Sequence, residues 1–255
     1  MPNDMFDLSG KMAIVTGGNG GIGLGIAKGL AQAGASIVVA ARNQSKTRDA
    51  IRQIEALGVA ALGHATDVSD ETSVASMVAA AVSEFGRVDI LVNNAGTVVR
   101  KLPQDHSLEE WNEVIDVNLT GGFLCSREVY PHMSRVGGGK IINIGSVTSV
   151  FGTDWIVAYS SSKGGVVQLT KSLAIAWARD NIQVNAMLPG WVKTDLTATI
   201  EERSPDRYNL ISSRIPIGRW ADPEDMGGAA VFLASRASDY VTGVALPVDG
   251  GYIAF

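Results

Sequence analysis

With 255 residues, 46% of them hydrophobic and 18% charged, the chain carries ample apolar material for a buried core and too little charge for a disordered polymer. Asp and Glu outnumber Lys and Arg by 26 to 21, which excludes the basic surplus of a nucleic-acid binder. A single cysteine, Cys125, rules out an internal disulfide and a cysteine-cluster zinc site, and three scattered histidines (His64, His106 and His132) make no metal cluster.

The opening Met-Pro-Asn-Asp-Met-Phe-Asp has neither the basic start nor the apolar core of a secretory signal, and no run reaches the roughly 20 apolar residues of a membrane span. A cytoplasmic protein with no membrane or nucleic-acid partner is expected. The sequons at Asn43 and Asn118 then read as chance matches.

Short Ile/Val-rich runs predict strands at 12–16, 36–41, 60–65, 90–93, 140–144, 183–188 and 244–248, apolar on consecutive positions as in strands covered on both faces. Between them, helical periodicity predicts helices at 22–33, 45–57, 73–85, 107–133, 159–179 and 223–234. Ser107 and Glu110 stand at capping-box spacing, and Gly34, Gly58 and Gly86 follow helix ends. Parallel neighbours need long crossovers, so the alternation predicts an α/β fold. The expected form is a Rossmann-type doubly wound parallel sheet of about seven strands, in order 3-2-1-4-5-6 with a seventh appended and helices on both faces. No linker, composition shift or repeat divides the chain, so residues 1–255 are read as one domain. The long stretch at about 190–222, with Trp191 and Trp220, reads as a substrate-loop insertion forming a lid; a loose connection is the alternative.

The first strand runs into Gly17-Gly-Asn19-Gly-Gly21-Ile22-Gly23 and then a helix. Glycines there permit a tight turn and close approach of backbone N–H groups to a pyrophosphate, which the helix N-terminus stabilises. Without a following Lys-Ser/Thr, a nucleoside-triphosphate loop is disfavoured. At the end of the second strand, where an NAD site places an acid, the chain has Ala41 and then Arg42. A guanidinium suits a 2′-phosphate, so NADP(H) is favoured over NAD(H), the alternative being a solvated Arg42 and dual use.

Ser146 follows the fifth strand, and Tyr159 and Lys163 come thirteen and seventeen residues later. Four apart on a helix, the latter two share a face at about 5–6 Å between Cβ atoms. An ammonium beside the phenol, together with an oxidised nicotinamide, lowers its proton affinity and fits it for general acid–base work; Ser146 would polarise a substrate oxygen.

Together with Asn93-Asn94-Ala95-Gly96 after the fourth strand, these motifs resemble the short-chain dehydrogenase/reductase family in its single-domain form, along essentially the whole chain to Pro247-Val-Asp-Gly-Gly251. The resemblance implies Tyr159 as acid/base, Ser146 as polariser and Lys163 as the residue that tunes Tyr159 and binds the nicotinamide ribose. It implies that Asn118 holds a water leading to Lys163. Cofactor contacts are implied for Gly17, Asn19, Gly21, Ile22, Gly23, Arg42, Asp67, Val68, Asn94, Ala95, Gly96, Tyr159, Lys163, Pro189, Gly190, Val192 and Thr194, with no metal. Asp67 capping the next helix and a structural Asn93 are the bland alternatives, and Cys125 reads as a small buried hydrophobe.

The family's usual pairing of the two long helices, with a second interface at the last strand, implies a homotetramer. The chain is most similar in appearance to sugar and sugar-acid dehydrogenases of the gluconate, 2-deoxygluconate and glucose types, through Thr97-Val-Val-Arg-Lys101 and Leu188-Pro-Gly-Trp-Val-Lys-Thr-Asp-Leu196. The implied reaction moves a hydride between nicotinamide and a secondary alcohol or ketone. A 3-oxoacyl thioester reductase is the enzymatic alternative and a non-catalytic cofactor-binding sensor the remote one. Val98, Val147, Val150, Trp155, Trp191 and Leu196 are expected on the substrate pocket. Arg100, Lys193 and Arg214 are candidates for an anionic group, with solvated surface the simpler reading of each.

Overall fold

A computed structural model describes residues 5–195, 197–198, 200, 202 and 204–254. Seven strands, β1 (Met12–Thr16), β2 (Ser36–Ala40), β3 (Ala61–His64), β4 (Ile90–Asn93), β5 (Gly139–Ile144), β6 (Ile182–Pro189) and β7 (Ala245–Val248), form one sheet in the order β3-β2-β1-β4-β5-β6-β7. Every neighbouring pair is parallel. This is the predicted doubly wound sheet. Its chain order reverses between β3 and β4, so a crevice opens beyond the carboxyl ends of β1 and β4.

The helices are α1 (Gly21–Gln32), α2 (Gln44–Glu55), α3 (Glu71–Phe85), α4 (Leu108–Ile115), α5 (Gly121–Arg135), α6 (Val157–Trp177), α7 (Pro205–Ser213) and α8 (Asp225–Ala234). Their starts are capped locally: the Asn43 side chain accepts from Lys46 N–H, Asp70 from Thr72 and Ser73, and Ser107 and Glu110 form the expected box. Gly86 closes α3 in the left-handed region.

Because side chains alternate across a strand, Ala13 and Val15 of β1 enter one core and Met12 and Ile14 the other. The first core is covered by Ile26 and Leu30 of α1, Ile54 of α2 and Leu233 of α8. The second is covered by Val74 and Met77 of α3, Val129 and Met133 of α5 and Leu173 of α6. On the first face α1 and α8 cross closely: a Cβ on Gly29 would come 2.7 Å from Gly227 Cα. Cys125 is buried in the second core, where desolvation pushes its thiol up to about 12.

Two elements depart from the sequence reading. The helix expected at 107–133 is α4 and α5 joined by a π turn, Asp116–Thr120, in which Asn118 is buried. Within the 190–222 segment lies α7, whose weak periodicity hid it; Pro205 starts it and Ile211 is its buried residue. This segment packs as a small third core of Ile200, Ile211, Ile215 and Trp220 against Val147 and Tyr252. Trp220 is 4.9 Å from the Tyr208 ring, stacked, and 5.2 Å from Trp191. Among the described residues no helix is long and apolar enough to cross a membrane.

Candidate active site

The loop after β1 is held by side chains of the loop after β4. Thr16 Oγ1 accepts from the N–H groups of Asn94 (3.0 Å) and Ala95 (3.1 Å), while the Asn94 amide donates to the carbonyls of Thr16 (2.9 Å) and Gly17 (3.1 Å). Gly17 and Gly21 have φ of +62° and +49°, a region that costs residues with a Cβ. A Cβ on Gly23 would press into the Gly17 carbonyl and the Asn94 amide. Gly20 gives α1 no side-chain cap, and its first turn holds no acid, so the N–H groups there face the cleft without competition. A concave wall of backbone donors fits a dinucleotide pyrophosphate. The Asn19 amide donates to Asn43 O (3.2 Å) and Thr47 Oγ1 (3.1 Å), tying this loop to the first turn of α2.

Across the cleft, Ser146 Oγ accepts from Thr148 N (3.1 Å) and Thr148 Oγ1 (3.0 Å) just beyond β5. On α6, Lys163 Nζ donates to the Ile144 carbonyl (2.7 Å) and lies 5.5 Å from the Tyr159 ring centroid. Burial pushes Lys163 down to about 8. Burial also raises Tyr159 above its ordinary value near 10, opposed by a hydrogen bond with Ser146 and by the positive charge of Arg100. The sequence reading had Lys163 and an oxidised nicotinamide together lowering Tyr159. Desolvation outweighs the attractions, and Arg100 places a second positive charge near the phenol besides the Lys163 ammonium. Arg100 is itself lowered by partial burial.

These groups line one cavity of about 410 Å³. Of the expected cofactor residues, Gly17, Asn19, Gly21, Ile22, Gly23, Asn94, Ala95, Gly96, Tyr159, Lys163, Pro189, Gly190, Val192 and Thr194 lie on its wall, as does Ser146. Arg42, Asp67, Val68 and Asn118 do not. Arg42 is exposed. Asp67 accepts from Ser69 N–H (3.0 Å) and Ser69 Oγ (2.6 Å), bonds that hold its carboxyl below the usual range, and Val68 packs on Gly121. Asn118 clamps the chain: its Oδ1 accepts from Thr97 N–H (2.8 Å) and its amide donates to Thr97 O and Ser162 Oγ (both 3.0 Å). Asn93 braces the sheet through Gly122 O, Ser126 and Asn143.

On the substrate side Val98, Val147, Trp155 and Trp191 line the cavity, and Arg100 joins them. Val150 is exposed instead, and Leu196 lies outside the described residues. Lys193 pairs with Asp222 (3.2 Å) and Arg214 stacks over Tyr252, both away from the cavity wall. Sequence reasoning missed Lys46, Thr148, Asp195 and Ile200, which also line it. Thr148 stands two residues after Ser146 and was within reach of inspection; no local signal marks Lys46 or Asp195.

A family model described as Enoyl-(Acyl carrier protein) reductase matches residues 17–253. The chain is 41% identical to the 2-dehydro-3-deoxy-D-gluconate 5-dehydrogenase of Formosa agariphila, over 100% of its own length and 97% of that protein's. It is 41% identical to the gluconate 5-dehydrogenase of Gluconobacter oxydans, covering 97% and 96% of the two chains. Among solved structures, a gluconate 5-dehydrogenase from Burkholderia cenocepacia in complex with NADP and tartrate superposes with a TM-score of 0.94 at 39% identity, all of both chains being covered.

Proposed function

The chain belongs to the short-chain dehydrogenase/reductase family and is an NAD(P)-dependent dehydrogenase acting on CH–OH groups; from that premise we propose that its substrate is a sugar acid and its preferred cofactor NADP(H). One observation carries the substrate reading: Arg100 is a cation on the cavity wall, close enough to Tyr159 to bias its proton affinity. It is placed to hold the carboxylate of an aldonate while a hydroxyl further along the chain meets Tyr159 and Ser146. The names of the relatives point the same way. NADP bound in the Burkholderia structure, and the exchange of an acid for Ala41-Arg42, support the cofactor preference.

When bound, the nicotinamide supplies or accepts the hydride. Tyr159 passes a proton between its phenol and the substrate oxygen, and Ser146 donates a hydrogen bond to that oxygen as charge develops on it. Lys163, braced on Ile144, holds positive charge beside the phenol and would bind the nicotinamide ribose. Asn118 keeps the 96–97 segment and Ser162 of α6 in register, and through its π turn would position the water leading to Lys163. The glycine loop with Asn94, Ala95 and Gly96, and Pro189, Gly190, Val192 and Thr194 opposite, would cradle the dinucleotide, with Arg42, Asp67 and Val68 around its adenosine end. Since burial keeps Tyr159 protonated at neutral pH, ketone reduction is expected to be level there and alcohol oxidation to rise as pH increases toward the phenol's value.

Residues 1–255 act on this reading as one catalytic unit, in the cytoplasm, as a homotetramer. Exposed Phe123 on α5 and Ile175 on α6, with Tyr240 and Val244 next to the last strand, are the apolar surfaces that assembly would cover. Sedimentation as a monomer at micromolar concentration would refute it. A panel of aldonates, neutral sugars and 3-oxoacyl thioesters with both cofactors, followed by absorbance of the reduced form, tests the substrate. Aldonate turnover, with KM raised about 10- to 100-fold in Arg100→Met, is expected. Turnover of 3-oxoacyl thioesters alone would favour a 3-oxoacyl thioester reductase instead.

A further inference from the structure

One ion pair bridges the cleft itself. Lys46 Nζ, on the first turn of α2, lies 2.7 Å from Asp195 Oδ2, on the segment following β6. Both residues line the cavity, and both side chains remain largely in solvent. They meet over the glycine loop: a Cβ on Gly21 would stand 3.1 Å from Thr194 Cγ2, the residue before Asp195. A pyrophosphate held in the glycine cradle would lie close to α2 and the 194–195 segment, with its adenosine ribose toward the end of β2. Lys46 lines the cavity there, and Arg42, just past β2, stands near enough to Asp67 to act on its carboxyl. The Asn19 amide ties the glycine loop to Asn43 and Thr47, on either side of Lys46, and so fixes the base of this lysine relative to the cradle.

We propose, on the NADP(H) reading above, that Lys46 is a ligand of the cofactor's 2′-phosphate and that Asp195 is its internal competitor, so that the phosphate binds by exchanging one anion for another on the same ammonium. An exposed pair of this kind is weak, which suits a contact that must be surrendered. A 2′-phosphate carries more charge than the carboxylate and displaces it; a 2′-hydroxyl does not. The lysine stays neutralised in the free protein, and its exchange frees the 194–195 segment only for the phosphorylated cofactor. Asp195 thus lowers the discrimination that Lys46 creates, a sign opposite to that of a simple strap closing over any dinucleotide.

The test is calorimetric binding of NADP+ and NAD+, and of 2′,5′-ADP and 5′-AMP as fragments, without turnover. In Lys46→Met the ratio of NADP+ to NAD+ affinity should fall about tenfold. In Asp195→Asn the ratio should rise about two- to fivefold, in both the whole cofactors and the fragments. In the double variant the Asp195 effect on the ratio should vanish. An unchanged ratio in Lys46→Met, or an Asp195→Asn effect that is equal for both cofactors or survives without the lysine, overturns the inference while the cofactor preference stands. Wild-type protein that binds NAD+ at least as tightly as NADP+ would overturn the cofactor reading, and this inference with it.

Discussion

The glycine loop and the 190–222 segment close the same cleft from opposite sides by different means. On the cofactor side the wall is backbone. Gly17 and Gly21 take conformations that a side chain resists, Thr16 and Asn94 supply the bracing hydrogen bonds, and the contacts join the ends of adjacent strands. On the substrate side the wall is side chain: Trp191 lines the cavity, and Tyr208, Trp220 and Tyr252 build a small aromatic core behind it. The first kind of wall is intolerant of added atoms, because backbone cannot step aside. The second is intolerant of lost atoms, because nothing else fills the gap.

The chemistry between the walls gives the largest expected effect. Tyr159→Phe should lower kcat/KM about 1,000-fold or more with cofactor Kd nearly unchanged; retention of activity within about tenfold would mean that another group moves the proton. Next comes the cofactor wall. Gly23→Ala forces a methyl against the Gly17 carbonyl, and should weaken cofactor binding about 100-fold and cost about 1–3 kcal/mol in thermal denaturation. Wild-type cofactor affinity in that variant would show that the backbone wall yields after all.

Behind the substrate wall, Trp220→Ala removes a buried indole that supports Trp191, together with its hydrogen bond to Ser212 Oγ (2.9 Å). Raised sugar-acid KM, about tenfold, with cofactor Kd unaltered is the outcome that keeps the two walls separate; a parallel loss of cofactor affinity would merge them. The smallest effect belongs to Asp225, clamped by both terminal nitrogens of Arg219 and held down to about 2. Its contribution is complete above the ordinary carboxylate value and disappears as pH falls toward 2. Asp225→Asn should therefore lower stability by less than about 1 kcal/mol at neutral pH, and its Tm should converge on that of the wild type in acid.

The same contrast explains what was legible beforehand. β1 and β4 have the predicted limits and the other strands agree within a residue or two at either end, because runs of Ile and Val between turn residues are local signals. The glycine loop was legible for the same reason. The part that burial and Arg100 play at Tyr159 was not. It depends on how completely the phenol is desolvated and on Arg100, which sequence reasoning weighed as solvated surface, 59 residues from Tyr159. The π turn at Asn118 escaped because a helix and a helix with one inserted turn share nearly the same apolar period.

The residues alone determined the order of strands and helices, the glycine cradle and the Ser146, Tyr159 and Lys163 set, since each depends on backbone preference or on spacing within one element and its neighbours. Only tertiary structure decided that Arg100 comes near enough to bias the phenol, that Lys46 and Asp195 meet across the cleft, and that Tyr208, Trp220 and Tyr252 pack together behind Trp191. Those outcomes are set by burial and by charge separation between segments, quantities that exist only once the chain has closed on itself.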